Sequence, residues 1–212
     1  MYSRQLIVEF IGTFFLLLVV GLTANPVAVG FALAALVYLG AAISGGHYNP
    51  AVTVAVYLGK GIPGKRIWGY FVAQFLGAAA AALTYLAIKG DFLIIEPGQG
   101  VSSATAILIE ALFTFLLTMT VLQVAVSKRT TGNQYFGLAI GLSLLVGAVA
   151  GGAISGGAFN PAIGITPALV SGIDISPSAS VYTAGPLLGA LLAGLLYRFL
   201  ESGTTTVTKG KK

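Results

Sequence analysis

The sequence contains no cysteine, a single histidine and few charged residues. Without cysteine, a disulfide framework is excluded. Only 8% of the 212 residues are charged whereas 57% are hydrophobic, and the mean hydropathy is +0.94, so the chain is not a soluble globular protein. The sequence carries no metal-ligand cluster, no serine–histidine–aspartate order and no phosphate-binding loop. We therefore expect neither an enzyme nor a bound metal or cofactor.

Two internal repeats divide the chain into halves. The segment Ser44–Ala51 (SGGHYNPA) returns as Ser155–Ala162 (SGGAFNPA), with only two positions changed and 111 residues between the two asparagines. Upstream of each, the segment Glu9–Phe14 (EFIGTF) returns as Glu110–Phe115 (EALFTF). The separation is 111 residues for the asparagines and 101 for the glutamates, so the second half carries about ten extra residues between the two landmarks. Two ordered repeats indicate a tandem duplication, which governs every further interpretation of the chain.

Long apolar runs predict an all-α membrane protein, since a hydrocarbon core needs about 20 apolar residues to cross it. The six predicted spans cover about Leu6–Leu22, Val27–Ile43, Ile67–Ile88, Ala104–Val126, Tyr135–Gly152 and Ala179–Leu200. Two further apolar segments, about Pro50–Leu58 and Pro161–Val170, follow the repeated motif and are too short to span. They are expected to be half-helices that enter the membrane and return.

Three spans in each half place the two halves in opposite orientations, the inverted-repeat plan of membrane transport proteins. With both termini inside, ten of the eleven basic residues fall on the cytoplasmic side and only Lys89 falls outside. This distribution follows the positive-inside rule. The net charge of +5 therefore reflects membrane-flanking loops and does not indicate a nucleic-acid partner.

The two half-helices have favourable start signals, because Asn49 and Asn160 are each followed by proline and alanine. Ten residues of helix are ~15 Å long, so two half-helices from opposite faces together cover a core of ~30 Å. Their N-termini, with the partial positive charge of the helix dipole, would meet near the midplane. Non-helical backbone at that depth must be buried in protein or line a wet cavity. The pattern predicts a pore.

Loop carbonyls are expected to form a ladder of hydrogen-bond acceptors along this pore. The residues concerned are Gly45, Gly46, His47 and Tyr48 in the first loop, and Gly156, Gly157, Ala158 and Phe159 in the second. The Asn49 and Asn160 amides would donate at the centre. Water that accepts hydrogen bonds there cannot also relay a proton, and the dipole ends repel cations.

These motifs resemble the aquaporin (major intrinsic protein) family. The resemblance runs from Glu9 to about Leu200 and rests on the paired Asn49-Pro50-Ala51 and Asn160-Pro161-Ala162 motifs, the repeated Glu-x-x-x-Thr-Phe starts, and Gly185-Pro186 in the last helix. It implies six tilted helices, two half-helices and a homotetramer with one pore per subunit. The partners implied are other copies of the chain, membrane lipid, water and small neutral solutes.

Two intramembrane carboxylates, Glu9 and Glu110, have two interpretations. A charged group inside a membrane helix is costly and usually functional, so proton coupling is one of them. The resemblance favours the other, in which both accept hydrogen bonds from the loop backbones and hold them in place. His47 is similarly open between a pH switch and a fixed hydrogen-bonding residue of its loop.

The chain departs from the family at Ile163, because most relatives have arginine after the second Asn-Pro-Ala, at the narrowest outer constriction. Counting without gaps, the other constriction positions correspond to Val29, Ala148 and Gly157. That ring has no aromatic wall, no histidine and no guanidinium, so the resemblance implies a filter that is wide and apolar. Gly164 stands where glycerol channels commonly have aspartate, so their specific signature is also missing.

The function predicted is a passive channel for water, small uncharged solutes or both, with glycerol, urea, ammonia and hydrogen peroxide as candidates. The alternatives are a proton-coupled transporter of a small solute and a non-conducting structural membrane protein. We expect one transmembrane channel domain over residues 1–200, with halves of about 1–88 and 104–200, a connector at 89–103 and a disordered cytoplasmic tail at 201–212. Short loops and the absence of a targeting extension favour a microbial cell membrane.

Overall fold

The computed structural model of the protein describes residues 2–202, apart from the side chains of residues 176–178. Eight α-helices follow one another in this part of the chain: α1 Tyr2–Thr23, α2 Pro26–Gly40, α3 Pro50–Leu58, α4 Ile67–Lys89, α5 Ser103–Val121, α6 Phe136–Ser155, α7 Pro161–Ser171 and α8 Ser176–Ser202. Short 3₁₀ turns cover Gly64–Arg66 and Lys128–Thr130, and a π-helical segment, Leu122–Val126, ends α5. The all-α membrane fold is confirmed.

Five of the described helices are long and apolar enough to cross a membrane, namely α1, α4, α5, α6 and α8. Helix α2 has 15 residues and ends at Gly40, three residues before its predicted end at Ile43. Its hydrogen-bond pattern nevertheless continues: the Ser44 N–H donates to the Gly40 carbonyl at 2.9 Å, and the Gly45 N–H donates to the Ala41 carbonyl at 3.2 Å. The helical path of α2 therefore leads directly into the first loop.

The two halves repeat one packing arrangement, in which α1 packs on α4 and α5 packs on α8. Glycine makes both crossings close. A Cβ atom at Gly77 would collide with the Phe10 carbonyl oxygen, and one at Gly189 would collide with the Ala111 carbonyl oxygen. Phe10 and Ala111 directly follow Glu9 and Glu110, so these crossings fix both carboxylates within the bundle.

The half-helices α3 and α7 are confirmed as short elements that follow the repeated motif. Each has proline at its first position. Helix α3 packs against α8, and α7 packs against α4, so each half-helix lies against the opposite half of the repeat. Large apolar side chains such as Trp68 and Phe199 lie on the outside of the molecule, as a membrane environment requires. Helix α8 extends through Ser202, and residues 203–212 of the predicted tail lie outside the described residues.

Candidate functional site

The two loops that precede α3 and α7 have the same backbone shape. Positive φ angles occur at matching positions: 96°, 64° and 52° at Gly45, Gly46 and Tyr48, and 89°, 65° and 48° at Gly156, Gly157 and Phe159. Glycine adopts these angles without steric cost, whereas tyrosine and phenylalanine in the left-handed region are strained. Strain of this kind persists only where surrounding contacts hold it.

The Glu9 carboxylate supplies such contacts for the first loop. Its Oε1 accepts hydrogen bonds from the Ser44 hydroxyl at 2.7 Å and from the His47 N–H at 3.0 Å. Its Oε2 accepts from the Tyr48 N–H at 2.7 Å and from the Gln74 amide at 2.8 Å. Glu9 has no solvent exposure, and four donors surround it. Its acceptor sites are therefore used for holding the loop.

Glu110 does the same for the second loop with three donors. Its Oε1 accepts from the Ser155 hydroxyl at 2.7 Å and from the Ala158 N–H at 3.1 Å, and its Oε2 accepts from the Phe159 N–H at 2.6 Å. Glu110 is likewise fully buried. The two carboxylates that the sequence singled out thus contact equivalent backbone positions in the two loops.

Each loop ends at an asparagine that caps the following half-helix. The Asn49 Oδ1 atom accepts from the Ala51 N–H at 2.8 Å, and the Asn160 Oδ1 atom accepts from the Ala162 N–H at 3.0 Å. These bonds satisfy N–H groups that have no partner within the helix itself. They also fix both side chains with their amide nitrogens pointing away from the helix N-termini.

The same asparagines join the two halves across the centre of the molecule. The Asn49 Nδ2 atom donates to the Phe159 carbonyl at 2.9 Å, and the Asn160 Nδ2 atom donates to the Tyr48 carbonyl at 2.9 Å. An amide nitrogen carries two hydrogens, so each asparagine keeps one for another acceptor. The N-termini of α3 and α7 are therefore held face to face, and each presents a free donor.

A narrow cavity, called the lumen here, passes this point and has a volume of about 40 Å³. A water molecule occupies roughly 10–15 Å³ on this measure, so the lumen holds a few waters in sequence. Its polar side chains, among the residues that the structure describes, are His47, Asn49 and Asn160. Aliphatic side chains such as Leu33 and Leu144 form most of the remaining wall. The lumen can transmit water-sized neutral molecules and offers few hydrogen-bonding sites.

The lumen shares lining residues with a wider vestibule at each end. A vestibule of about 730 Å³, on the side of the 89–103 connector, shares Val29, Ala148 and Gly157 with the lumen. A second vestibule, of about 390 Å³, on the side of the chain termini, shares His47 and Val121 with it. These shared residues lie where the passage changes from wide to narrow.

All four predicted constriction residues line the lumen together. Val29 and Ile163 are 8% and 3% exposed, and three of the four also border the connector-side vestibule. Ile163 is the third residue of α7 and lies beside the motif asparagine Asn160 within the same wall. The structure thus places the four predicted residues along the lumen, with Val29, Ala148 and Gly157 at its border with the connector-side vestibule.

The residues of the predicted carbonyl ladder do not all line the lumen. Gly46 and His47 of the first loop, and Gly156, Gly157 and Ala158 of the second, line the lumen. Gly45 lines the terminal-side vestibule. The carbonyls of Tyr48 and Phe159 accept hydrogen bonds from the opposite asparagines, as described above.

Sequence reasoning missed two tyrosines that hold the loops. The Tyr70 hydroxyl donates to the Ser44 carbonyl at 2.6 Å, and the Tyr182 hydroxyl donates to the Ser155 carbonyl at 2.7 Å. Both rings are almost completely buried. Their separation of 112 residues nearly equals that of the two motifs, and this repeat signal could have found them.

Comparisons with known proteins agree with this geometry. The family model described as "Major intrinsic protein" matches residues 1–197. Aquaporin AqpM of Methanothermobacter thermautotrophicus is 34% identical, over 94% of this chain and 98% of its own length, and aquaporin TIP1-1 of Arabidopsis thaliana is 39% identical, over 87% and 74%. The solved aquaglyceroporin from Plasmodium falciparum, at 24% identity, covers 93% of this chain and 96% of its own with a TM-score of 0.80, which supports the fold.

Proposed function

The chain belongs to the major intrinsic protein family and is an aquaporin-type membrane channel for water or small neutral solutes, not an enzyme. From that premise, we propose that its selectivity depends on an apolar ring formed by Val29, Ala148, Gly157 and Ile163. One observation carries this proposal: all four residues line the lumen, three of them also border the connector-side vestibule, and Ile163 provides a branched alkyl group rather than a charge.

The chemistry of this ring favours solutes that tolerate the loss of hydrogen bonds. Water that enters a ring of alkyl groups loses hydrogen-bond partners that the ring does not replace, which costs free energy. A solute with a larger apolar part gives up fewer bonds per unit of surface and gains contacts with Val29 and Ile163. Glycerol, which has a carbon backbone, is the cargo that this argument favours. Urea, ammonia and hydrogen peroxide are proposed as well, because the ring contains no guanidinium to obstruct small uncharged solutes.

Exclusion of charge is assigned to the centre of the lumen. The remaining amide hydrogens of Asn49 and Asn160 would donate to a passing water, and the N-termini of α3 and α7 point their positive ends at the same place. The cross-half hydrogen bonds at 2.9 Å support this role, because they hold both donors in position. Since the ring contributes no fixed positive charge, these dipoles are the main barrier to cations.

We assign Glu9 and Glu110 to holding the loops, not to carrying protons. Every carboxylate oxygen accepts at least one hydrogen bond from a loop or from Gln74. A proton placed on either group would replace an acceptor with a donor among these partners. His47 is assigned a fixed position in its loop, because its Nδ1 atom lies 3.1 Å from the Thr53 hydroxyl.

Assembly and orientation complete the proposal. The family membership supports a homotetramer with one pore in each subunit. The distribution of basic residues supports cytoplasmic termini, which makes the connector-side vestibule the outer one. A single channel domain over residues 1–200 and a microbial cell membrane are proposed as well.

The test is stopped-flow light scattering on proteoliposomes that are challenged in turn with sucrose, glycerol and urea. We expect the wild type to take up glycerol or urea in addition to passing water. Ile163→Arg places a long charged group in the ring and is expected to lower solute uptake about tenfold, which corresponds to about 1.4 kcal/mol in the barrier.

Ile163→Met is the matched control, because methionine is unbranched and uncharged but reaches nearly as far as arginine. Little change with methionine, beside a large loss with arginine, assigns the effect to charge and hydration. Wild-type vesicles that pass only water, together with an unchanged Ile163→Arg profile, would show that this ring does not set selectivity.

A further inference from the structure

A second polar cavity lies outside the lumen, on the terminal side of the molecule. It has a volume of about 640 Å³ and forms between the loop after α3, the turn after α5 and the end of α8. Its polar lining residues are Lys60, Lys128, Tyr197, Arg198, Glu201 and Ser202. We call it the basic cavity.

Positive charge dominates the basic cavity. Its one carboxylate, Glu201, is already engaged: it lies 3.2 Å from the Arg129 guanidinium and accepts from the Ser127 hydroxyl at 3.1 Å. Within residues 2–202, no ion pair involves Lys60, Lys128 or Arg198. Three cations around one space repel one another unless an anion lies between them. The cavity is therefore suited to an anionic group with several acceptor oxygens.

An apolar stripe runs along α8 from the basic cavity into the membrane. Leu188, Leu191 and Leu195 are 46%, 43% and 50% exposed, and they lie at helical spacings of three and four residues from one another and from Arg198. Ten residues of helix measure about 15 Å, which is half of a hydrocarbon core of about 30 Å. The stripe together with Arg198, which lies ten residues beyond Leu188, thus has about the length of one leaflet.

The basic cavity also adjoins the pore. Gly61 and Val126 line both this cavity and the terminal-side vestibule. Val126 ends the π-helical segment, a feature that is often found at functional sites. Lys60 has a φ angle of 63°, so its side chain projects from a backbone conformation that ordinarily favours glycine.

We propose that the basic cavity binds the phosphate of an anionic phospholipid from the cytoplasmic leaflet, with an acyl chain along Leu188, Leu191 and Leu195. The phosphate oxygens accept from Lys60, Lys128 and Arg198, and Arg198 connects the two parts of the site because it belongs to both. The combination of cationic cavity and one-leaflet stripe favours a lipid over a free anion. The leaflet assignment rests on the proposed orientation.

The test is native mass spectrometry of the purified channel with phosphatidylglycerol or phosphatidylcholine, combined with the lipid-dependent rise in unfolding temperature. We expect phosphatidylglycerol to bind more tightly and to stabilise more. The triple variant Lys60→Asn, Lys128→Gln, Arg198→Gln is expected to weaken phosphatidylglycerol binding at least about tenfold, since a direct hydrogen bond between a cationic side chain and a phosphate oxygen contributes about tenfold and the control cations make no such contact. Asparagine is used at position 60 because it tolerates the positive φ angle.

The matched control removes three exposed cations that do not line the basic cavity: Arg4→Gln, Lys65→Gln and Lys89→Gln. It has the same net charge as the test variant and is expected to bind phosphatidylglycerol within about twofold of the wild type. Equal losses in both triple variants would overturn the site in favour of nonspecific attraction. Stabilisation by inorganic phosphate alone, without a preference for phosphatidylglycerol, would overturn the lipid assignment.

Discussion

The two loops have nearly the same shape, but they are held by unequal sets of contacts. In each half, a buried carboxylate, the motif serine and a tyrosine hydroxyl meet at the loop. Glu9 and Glu110 accept the backbone N–H groups, while Tyr70 and Tyr182 donate to the serine carbonyls. The two loops that share this set of contacts also have matching φ angles.

The first half adds an amide that the second half lacks. Gln74 donates to Glu9 at 2.8 Å and to the Thr53 hydroxyl at 3.1 Å. At the separation that relates the two tyrosines, the residue corresponding to Gln74 is Pro186, which has no side-chain donor. Gly164 corresponds to Thr53, and a Cβ atom there would collide with the Tyr182 ring. The aromatic ring thus takes the space that a polar side chain occupies in the first half.

The additional layer determines the chemistry of the lumen. The Thr53 hydroxyl donates to the Asn49 carbonyl at 3.0 Å and accepts from Gln74, so it meets the His47 Nδ1 atom as an acceptor. Hydrogen-bond accounting therefore assigns the proton to His47 Nδ1 and leaves Nε2 as an acceptor. Ala158 corresponds to His47 in the second half and offers no such group. Backbone shape is symmetric in this channel, whereas its side-chain acceptors are not.

The largest expected effect comes from replacing one carboxylate at a time with its amide. In Glu9→Gln, the new NH₂ group faces two donors whichever oxygen it replaces. In Glu110→Gln, the NH₂ group can face the Phe159 N–H alone. Each buried donor left without an acceptor costs about 1–3 kcal/mol. We expect the unfolding temperature in detergent to fall by about 10 °C for Glu9→Gln and by about half as much for Glu110→Gln.

Asp91→Asn serves as the control for this pair, since it makes the same chemical change at an exposed carboxylate in the connector. It is expected to leave the unfolding temperature nearly unchanged. If Glu110→Gln proves as costly as Glu9→Gln, the extra donor from Gln74 does not distinguish the two halves.

A smaller effect is expected for Gln74→Leu, which removes the amide that only the first half has. The lost bond to the Glu9 carboxylate costs about 1.5–3 kcal/mol. The Gln74 Oε1 atom is buried with no partner among the described residues, so its removal offsets part of that cost. The net loss should be about 1 kcal/mol, or roughly 3 °C in the unfolding temperature.

Double variants make this test specific to one half. Combined with Glu9→Gln, the cost of Gln74→Leu should shrink, because the two residues share a hydrogen bond. Combined with Glu110→Gln, the two costs should add. Thr84→Val is a control on the same helix, since within residues 2–202 its hydroxyl donates to the Ala80 carbonyl alone. Additivity in both combinations would contradict the assigned contact.

Much of this arrangement could be predicted from the sequence, because duplication makes a weak signal appear twice. The pairs Asn49 with Asn160 and Glu9 with Glu110 were identified by their repeated positions, and both half-helices were located by asparagine followed by proline. The end of α2 differs from its prediction: the predicted helix extends to Ile43, whereas α2 ends at Gly40 and a turn with helical hydrogen bonds follows. A local sequence pattern does not distinguish the last turn of a helix from a following turn that keeps helical hydrogen bonds.

Contacts between the halves could not be predicted in the same way. The Asn49 amide meets a carbonyl 110 residues away, and this depends on how two helix N-termini approach one another in the bundle. Tyr70 and Tyr182 look like ordinary membrane aromatics in the sequence, because only the fold places their hydroxyl groups against the loops. The partner of a polar side chain is a property of packing, whereas its position in a repeat is a property of the sequence.

The smallest expected effects, and the closest test of the symmetric part, come from Tyr70→Phe and Tyr182→Phe. Each change removes one hydroxyl that donates to a motif serine carbonyl, at 2.6 and 2.7 Å, and keeps the buried ring. Each should cost about 0.5–1 kcal/mol, less than the bond to a carboxylate, and the two costs should agree within about 0.5 kcal/mol and add in the double variant. Thermal unfolding of the three variants measures this directly. If Tyr70→Phe cost far more than Tyr182→Phe, the asymmetric layer around Gln74 would extend to the tyrosines, and the loop shape would not rest on a set of contacts common to both halves.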